Sequence, residues 1–225
     1  LTLQQPDSSR IKLFAAIAYT YAFFPEYYNA DSALYYAQKG LELHQKVMSS
    51  DAYKEWLKLG NSIQLLNIQE VLAGLLHAMG NYPKALELRF QNLSIAESGN
   101  DKIIMVQTIR NITLDYAAMK DYQNVLKYSK TMSSILATVM PKENDYLQEN
   151  WFAKSIIASA FYHLNMPDSA LYYAKQVNEM KLNTNTVGYA AFTSQLLGDI
   201  YTLKAENDTA FYYYKLAIEY GHNVN

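Results

Sequence analysis

The chain has 225 residues, of which 50% are hydrophobic and 18% are charged, and its formal net charge is −2. A chain of this composition can bury a core and is too apolar to be disordered, and because it has no Lys/Arg run we expect no nucleic-acid partner. It has no cysteine, which excludes disulfides and thiolate zinc sites, and no apolar segment approaches the ~18 residues of a membrane span.

A pair of helices is predicted five times along the chain. Each first helix has a large apolar residue followed by a small one, with Tyr, Phe or Leu a few residues later. These neighbours are Ile17-Ala18, Leu72-Ala73, Ile112-Thr113, Ile157-Ala158 and Leu197-Gly198. After a polar turn, a further small residue opens the second helix and allows close helix approach. The five residues at this position are Ala33, Ala85, Val125, Ala170 and Ala210.

The word Asp-Ser-Ala-Leu-Tyr-Tyr-Ala occurs at 31–37 and 168–174, and a degenerate copy lies at 208–214. Its Asp is expected to accept hydrogen bonds from the first turn of the second helix, where a negative charge also suits the helix dipole. Since its tyrosines recur at fixed positions, we expect them to pack between helices with their hydroxyls reaching solvent. A platform on which a ligand stacks is the alternative.

The predicted helix pairs cover 10–49, 51–98, 101–140, 144–181 and 184–221, and form one continuous domain over 1–225. The longest connection is expected in 49–61, with Asp51 as a helix cap and Gly60 as a break. Pro141 is expected to end the second helix of the third pair. The stretch 182–186 is likewise expected to end the second helix of the fourth pair, before the fifth pair begins.

This pattern resembles the tetratricopeptide repeat (TPR), a helix–turn–helix unit of about 34 residues. The match is best where Gly198, Tyr201, Ala210, Tyr214 and Ala217 fall on the family's signature spacing. The Trp that the family carries in its first helix, and the Pro at its repeat end, are missing here. The resemblance implies an all-α solenoid of about five tandem TPR-like helix pairs, wound as a right-handed superhelix with the first helices along its concave face.

No catalytic or metal-binding pattern is visible in the sequence. The four histidines, His44, His77, His163 and His222, have no ligand spacing of the HExxH kind. There is no G-x-S-x-G, no Gly-rich phosphate loop and no Walker motif. The sequence therefore predicts that the chain is not an enzyme and holds neither a metal nor a cofactor.

In TPR proteins the ligand-facing positions lie on the first helices, and the resemblance therefore implies a protein or peptide partner bound in the groove. Carried over position by position, the ligand-facing residues are Tyr19, Asn67, Glu70, His77, Gln107, Arg110, Asn111, Phe152, Ser155, Tyr162, His163, Phe192, Gln195 and Asp199. Arg110 is the one full positive charge near the centre of this set, so we expect it to pair with a ligand carboxylate. The alternative is that several of these side chains only line a wet groove. The Lys/Asn/Arg clamp of chaperone-binding TPR proteins has no counterpart here.

The wording of the repeats, with Gly-Asn-Tyr-Pro-Lys-Ala-Leu beside the repeated heptapeptide, is similar to TPR sensor regions of bacterial membrane-bound histidine kinases or helix-turn-helix regulators. This similarity implies a non-enzymatic sensor region in the extracytoplasmic, periplasmic part of a membrane-anchored protein. Since the chain begins at Leu1, we expect it to be a piece of a longer protein. The alternative is a stand-alone TPR adaptor in the cytoplasm, and homo-oligomerisation is left open.

Overall fold

The structure is a computed structural model that describes residues 7–47, 62–139, 147–180 and 187–222. Those ranges are almost wholly helical, and no strand occurs within them. The residue contacts divide the chain into two compact units, Leu1–Asp101 and Lys102–Asn225. The single continuous domain expected from the sequence stays a prediction. Asp51, Gly60, Pro141 and the stretch 182–186, to which the sequence assigned breaks and caps, lie outside the described residues.

The first unit contains two helix pairs. Its helices are α1 (Asp7–Phe23), α2 (Ala30–Val47), α3 (Ser62–Ala78) and α4 (Tyr82–Ser98), with a short 3₁₀ helix at Pro25–Tyr27 between the first two. Helix α1 packs on α2 and α3 on α4, while both α1 and α2 contact α3. The buried side chains at the centre of this unit include Ile11, Ala18, Ala33, Ile68 and Val71.

The second unit contains three helix pairs. Its helices are α5 (Lys102–Ala118), α6 (Tyr122–Val139), α7 (Leu147–His163), α8 (Pro167–Glu179), α9 (Val187–Leu203) and α10 (Asn207–His222). Each helix packs against the next one along the chain, and α7 also contacts α9. Leu197 and Ile200 of α9 are fully buried between these helices.

The predicted close-packing residues are buried, as expected. Ala33, Ala85 and Ala170 are 0% exposed, Val125 is 1% and Ala210 is 3%. At the matching places of the first helices the buried small residues are Ala18, Ala73, Thr113 and Ala158. A side chain of this size lets two helix backbones approach closely, and the all-α, helix-pair prediction is confirmed.

The turn inside each pair has a recurring hydrogen-bond pattern. In the third pair, Lys120 adopts a positive φ of 59°, its N–H donates to the Ala117 carbonyl, and the Asp121 N–H donates to the Tyr116 carbonyl. This is a Schellman motif, which satisfies carbonyls at a helix end. The same positions of the second, fourth and fifth pairs form the same bonds, accepted at the second step by Leu76, Phe161 and Tyr201. In the first pair the carbonyl of Tyr21 accepts from the Asn29 N–H instead, which accommodates the predicted insertion.

The capping role predicted for the Asp of the repeated word is wrong. Helix α2 begins at Ala30, and the side-chain oxygen of Asn29 accepts from the Ser32 N–H at 2.8 Å. A residue just before the helix can reach an N–H of the first turn, whereas Asp31 already lies inside that turn. Asp168 likewise lies within the first turn of α8. There these charges suit the helix dipole without capping the helix.

The tyrosines of the repeated word divide into two groups. The second Tyr of each copy packs against an aromatic ring of the preceding helix, and that part of the prediction is confirmed. The ring centroids are 6.1 Å apart for Tyr21–Tyr36, 5.7 Å for Phe161–Tyr173 and 5.5 Å for Tyr201–Tyr213. The first Tyr of each copy is exposed by 55% at Tyr35, 64% at Tyr172 and 60% at Tyr212. For these three the packing prediction is wrong, because consecutive residues of a helix point about 100° apart.

Candidate functional site

Side chains from α5, α7 and α9 line a cavity of about 510 Å³ in the second unit, and this cavity is open to solvent. These three are the first helices of successive pairs, as the sequence predicts for a ligand-binding face. Helix α7 contributes most of the lining because the positions that it presents are three or four residues apart, on one side of the helix. The lining residues are Leu114, Gln148, Trp151, Phe152, Ser155, Ile156, Tyr189 and Phe192.

The inner wall of the cavity is aromatic. The Trp151 ring is 6% exposed, and its centroid lies 4.3 Å from that of Tyr189 and 5.7 Å from that of Phe192. Phe192 remains 44% exposed and Leu114 37%. The cavity therefore has a buried aromatic base and an apolar rim open to solvent.

A positive charge lies beside the cavity. The guanidinium carbon of Arg110 is 4.7 Å from the centroid of the Phe152 ring, close enough for a cation–π contact. Its Nε lies 3.8 Å from Oε2 of Glu149, which is too long for a hydrogen bond. Because the Arg110 side chain is 44% exposed, its planar set of N–H donors can reach a ligand at the rim.

Ser155 lines the same cavity, but its hydroxyl is already engaged. The side chain is 3% exposed, and its Oγ donates to the Phe152 carbonyl at 2.9 Å. This bond fixes the hydroxyl against its own helix. The described lining residues include no His, Asp or Glu, so a general base for that hydroxyl is not among them.

Three other predicted residues of the second unit belong to a different cluster. His163, at the end of α7, stacks on Tyr122 with ring centroids 4.3 Å apart, and Tyr162 contacts the His163 ring edge-on at 5.1 Å. Asp199 accepts from the Tyr214 hydroxyl at 2.9 Å. Burial lowers the pKa of His163; the charge of Asp199 opposes this shift, and that of Lys120 adds to it. We define Tyr162, His163 and Asp199, together with their partners Tyr122 and Tyr214, as the turn-end cluster.

The remaining predicted positions of the second unit do not line the cavity. Gln107 and Gln195 are exposed, and Asn111 is half-buried. Of the predicted ligand-facing residues, Phe152, Ser155 and Phe192 therefore lie on the cavity wall, and Arg110 lies at its edge.

The predicted positions of the first unit have local partners. Tyr19 packs on Phe23 with ring centroids 4.7 Å apart, and His77 contacts Tyr82 edge-on at 5.3 Å. Glu70 is ion-paired at 3.0 Å with Arg89. Asn67 is half-buried.

Sequence reasoning did not single out Leu114, Gln148, Trp151, Ile156 or Tyr189 as cavity residues. Helical spacing points to two of them: Trp151 lies four residues before Ser155, and Tyr189 lies three residues before Phe192, so that each shares a helical face with a predicted residue. A family register carried over position by position passes over aromatic residues that lie outside that register.

Two further features of the described residues bear on function. No group of three His, Asp or Glu side chains in the described part of the chain is placed to hold a metal ion. Within the same ranges, no helix has both the length and the apolar character that crossing a bilayer demands.

No family model and no curated protein matches the chain. Solved structures do match it. A kinesin light chain-like protein from Podosopora anserina, with nearly identical TPR-like repeats, superposes with a TM-score of 0.71 at 14% identity, over 99% of both chains. The chain has a TPR-like repeat fold.

Two other TPR-like neighbours are longer than this chain. Aspartyl phosphate phosphatase F from Bacillus subtilis has a TM-score of 0.68 at 16% identity, with 96% of this chain covering 61% of that one. A Rap protein in complex with competence and sporulation factor has a TM-score of 0.58 at 13% identity, with 98% of this chain covering 66% of that one. At such identities the similarity shows the fold alone.

Proposed function

We propose that this TPR-like chain is a non-enzymatic module that binds a peptide, or a segment of another protein, in the cavity of its second unit. The observation that carries the proposal is the aromatic cavity of about 510 Å³ with Arg110 at its edge. Its volume lies in the ~300–1,000 Å³ range of ligand pockets. Trp, Tyr and Arg are also the residues that most often dominate binding energy at protein interfaces.

One of the neighbours supports a binding function. One Rap protein was solved in complex with competence and sporulation factor, so a repeat array of this fold can hold a partner. Another neighbour is named a phosphatase, and this chain covers 61% of its length. We carry no catalytic step over from it, because the Ser155 hydroxyl donates to the Phe152 carbonyl and the described lining residues include no acid or base.

We further propose that the module is the sensing or interaction part of a bacterial signalling or regulatory protein, on the extracytoplasmic side of a membrane. The resemblance of its repeat sequences to the TPR sensor regions of bacterial histidine kinases and helix-turn-helix regulators supports this role. Sequencing the reading frame beyond Asn225 tests it. A membrane span followed by a kinase or DNA-binding domain would support sensing, whereas an immediate stop codon would favour the adaptor.

Selection from a phage-displayed library of random dodecapeptides on the immobilised 225-residue chain tests the binding function. Enriched peptides should lose their binding to the double variant Arg110→Glu/Phe152→Ala, which removes the charge and one cavity wall. The matched control is Lys127→Glu/Phe211→Ala. It makes the same charge change and removes one exposed Phe, and its Lys127 Nζ lies 5.1 Å from a ring centroid, much as Arg110 does.

Binding that survives in the cavity variant, or a selection that enriches nothing over an uncoated surface, would contradict the proposed function. Circular dichroism of both variants should confirm that they remain helical, since Arg110, Lys127 and Phe211 are exposed and Phe152 is only half-buried.

A further inference from the structure

The aromatic lining of the cavity and the charge of Arg110 beside it indicate the chemistry of a ligand. We infer that it takes one aromatic side chain of an extended peptide, and that a carboxylate one or two residues away on that peptide pairs with Arg110. This inference rests on the proposed binding function and narrows it to one class of partner.

The aromatic preference follows from the walls. The Trp151 ring contacts the Tyr189 ring in a tilted arrangement at a centroid distance of 4.3 Å, and the Phe192 ring edge-on at 5.7 Å. Rings prefer to add to such a group in offset or edge-on arrangements, at ~4.5–7 Å between centroids. Phe192 and Leu114 keep 44% and 37% of their surface exposed, so an inserted ring would remove apolar surface from water on several sides at once.

The carboxylate preference follows from how Arg110 is held. Its guanidinium lies over the Phe152 ring at 4.7 Å, which restricts its position before any ligand arrives. Its contact with Glu149, at 3.8 Å, leaves N–H donors for a stronger, bidentate bond to a ligand carboxylate. Glu149 is the acidic side chain within ion-pair distance of Arg110 among the described residues, and it is the group that a ligand carboxylate would displace.

The spacing between the two ligand groups follows from Phe152. One side of this residue lines the cavity and its ring contacts Arg110, so the two subsites are adjacent. An extended peptide advances about 3.3–3.6 Å per residue. One or two residues are therefore enough to place a ring in the cavity and a carboxylate on the guanidinium. The carboxylate can be an Asp side chain or the carboxyl terminus of the peptide.

A panel of synthetic Gly/Ser decapeptides tests the inference, with binding to the full 225-residue chain followed by ligand-observed NMR titration. Four amidated peptides carry Phe-Asp, Phe-Asn, Ala-Asp or Ala-Asn at their centre. A fifth ends in Phe-Gly with a free carboxyl terminus. Phe-Asp should bind at least about tenfold more tightly than Phe-Asn or Ala-Asp, a difference of ~1.4 kcal/mol for each group removed. Comparing Phe-Asp with the fifth peptide shows which source of carboxylate the site takes.

Two variants assign the two subsites. Arg110→Gln should abolish the preference for Asp over Asn while keeping that for Phe over Ala, and Phe192→Ala should do the reverse. Lys127→Gln and Phe211→Ala, which change exposed side chains on α6 and α10, should alter neither preference. The preference for Asp should also shrink with added salt, because exposed charges are screened.

Equal binding of all five peptides, or none at millimolar concentration, overturns the inference. The proposed function has its own outcome. If library-selected peptides lose binding in the Arg110→Glu/Phe152→Ala variant but share no aromatic residue near a carboxylate, the cavity binds peptides and only the inferred ligand class is wrong.

Discussion

The ring of Tyr214 on α10 lies directly over Gly198 on α9, so close that a Cβ at position 198 would sit 2.6 Å from Tyr214 Cδ1. The Tyr214 hydroxyl is held at the same time, because it donates to Asp199 at 2.9 Å and lies 3.1 Å from the Thr202 hydroxyl. The ring therefore cannot swing away without losing these bonds. The glycine is required by packing between two helices of one pair, and its φ is not positive.

Gly198→Ala should consequently destabilise the second unit. Overpacking costs about 1–3 kcal/mol, and the helix propensity of Ala returns up to about 1 kcal/mol. A net loss of up to ~2 kcal/mol corresponds to a melting temperature lower by up to roughly 8 °C, measured by circular dichroism. Gly74→Ala is the control, since its nearest contact would be Phe23 at 3.9 Å, and it should leave the melting temperature unchanged or slightly raised. An equal response of the two variants would contradict the steric explanation.

Truncating the neighbouring tyrosines of α10 should change the stability of the chain by different amounts. Tyr213 stacks on Tyr201 at an interplanar angle of 6°, and burial raises the pKa of its phenol, whereas Tyr212 is 60% exposed. Tyr213→Ala should cost about 1–3 kcal/mol, and Tyr212→Ala should stay within ~0.5 kcal/mol of the original stability. Thermal unfolding of the two variants compares identical chemical changes on adjacent residues. A larger loss for Tyr212 would mean that the ring stacking is not what stabilises the pair.

Glu70 is predicted to matter for stability, although its position was expected to face a ligand. Its carboxylate pairs with Arg89, whose side chain is 5% exposed, so removing it deprives a buried charge of that partner. Glu70→Ala should cost ~1–3 kcal/mol, seen as earlier thermal unfolding of the chain. Glu87→Ala, on the exposed side of α4, is the matched control and should change little. An unaltered melting temperature for Glu70→Ala would contradict this role in stability.

The His163 side chain should titrate below its ordinary pKa of 6.5, since burial disfavours the charged imidazolium. Over the pH range between the lowered pKa and 6.5, the unfolded chain binds more protons than the folded one. Stability should therefore be fully present above about pH 6.5 and fall as the pH drops below it. An NMR titration of the His163 ring protons measures this pKa directly.

The charge of Lys120 should influence the pKa of His163. Its charge helps to lower the pKa of His163, while Asp199 raises it. Lys120→Gln should therefore move the titration of His163 upward. Titration at or above the ordinary value in the unaltered chain would show that burial does not govern this histidine.

Much of the fold could be predicted from the sequence because its signals are local. The buried Ala33, Ala85, Ala170 and Ala210 were recognised from spacing alone, since a small residue at a fixed helical position marks where two backbones meet. The cap predicted at the Asp of the repeated word is wrong because the helix starts earlier than the sequence pattern indicates. A shift of two residues in a helix start transfers the cap to Asn29, and such boundaries depend on turn geometry that composition does not show.

The sequence by itself determined that the chain is a set of helix pairs, that small residues recur where the two helices of a pair meet, and that Arg110 and Phe152 belong to first helices. Only the tertiary structure decided that Leu114, Trp151, Tyr189 and Phe192 meet around one cavity, while the turn-end cluster forms elsewhere on α7 and its neighbours. The physical reason is that helical periodicity follows from neighbours along one chain segment. The rotation and offset of α5, α7 and α9 in their unit depend on how all their side chains pack together.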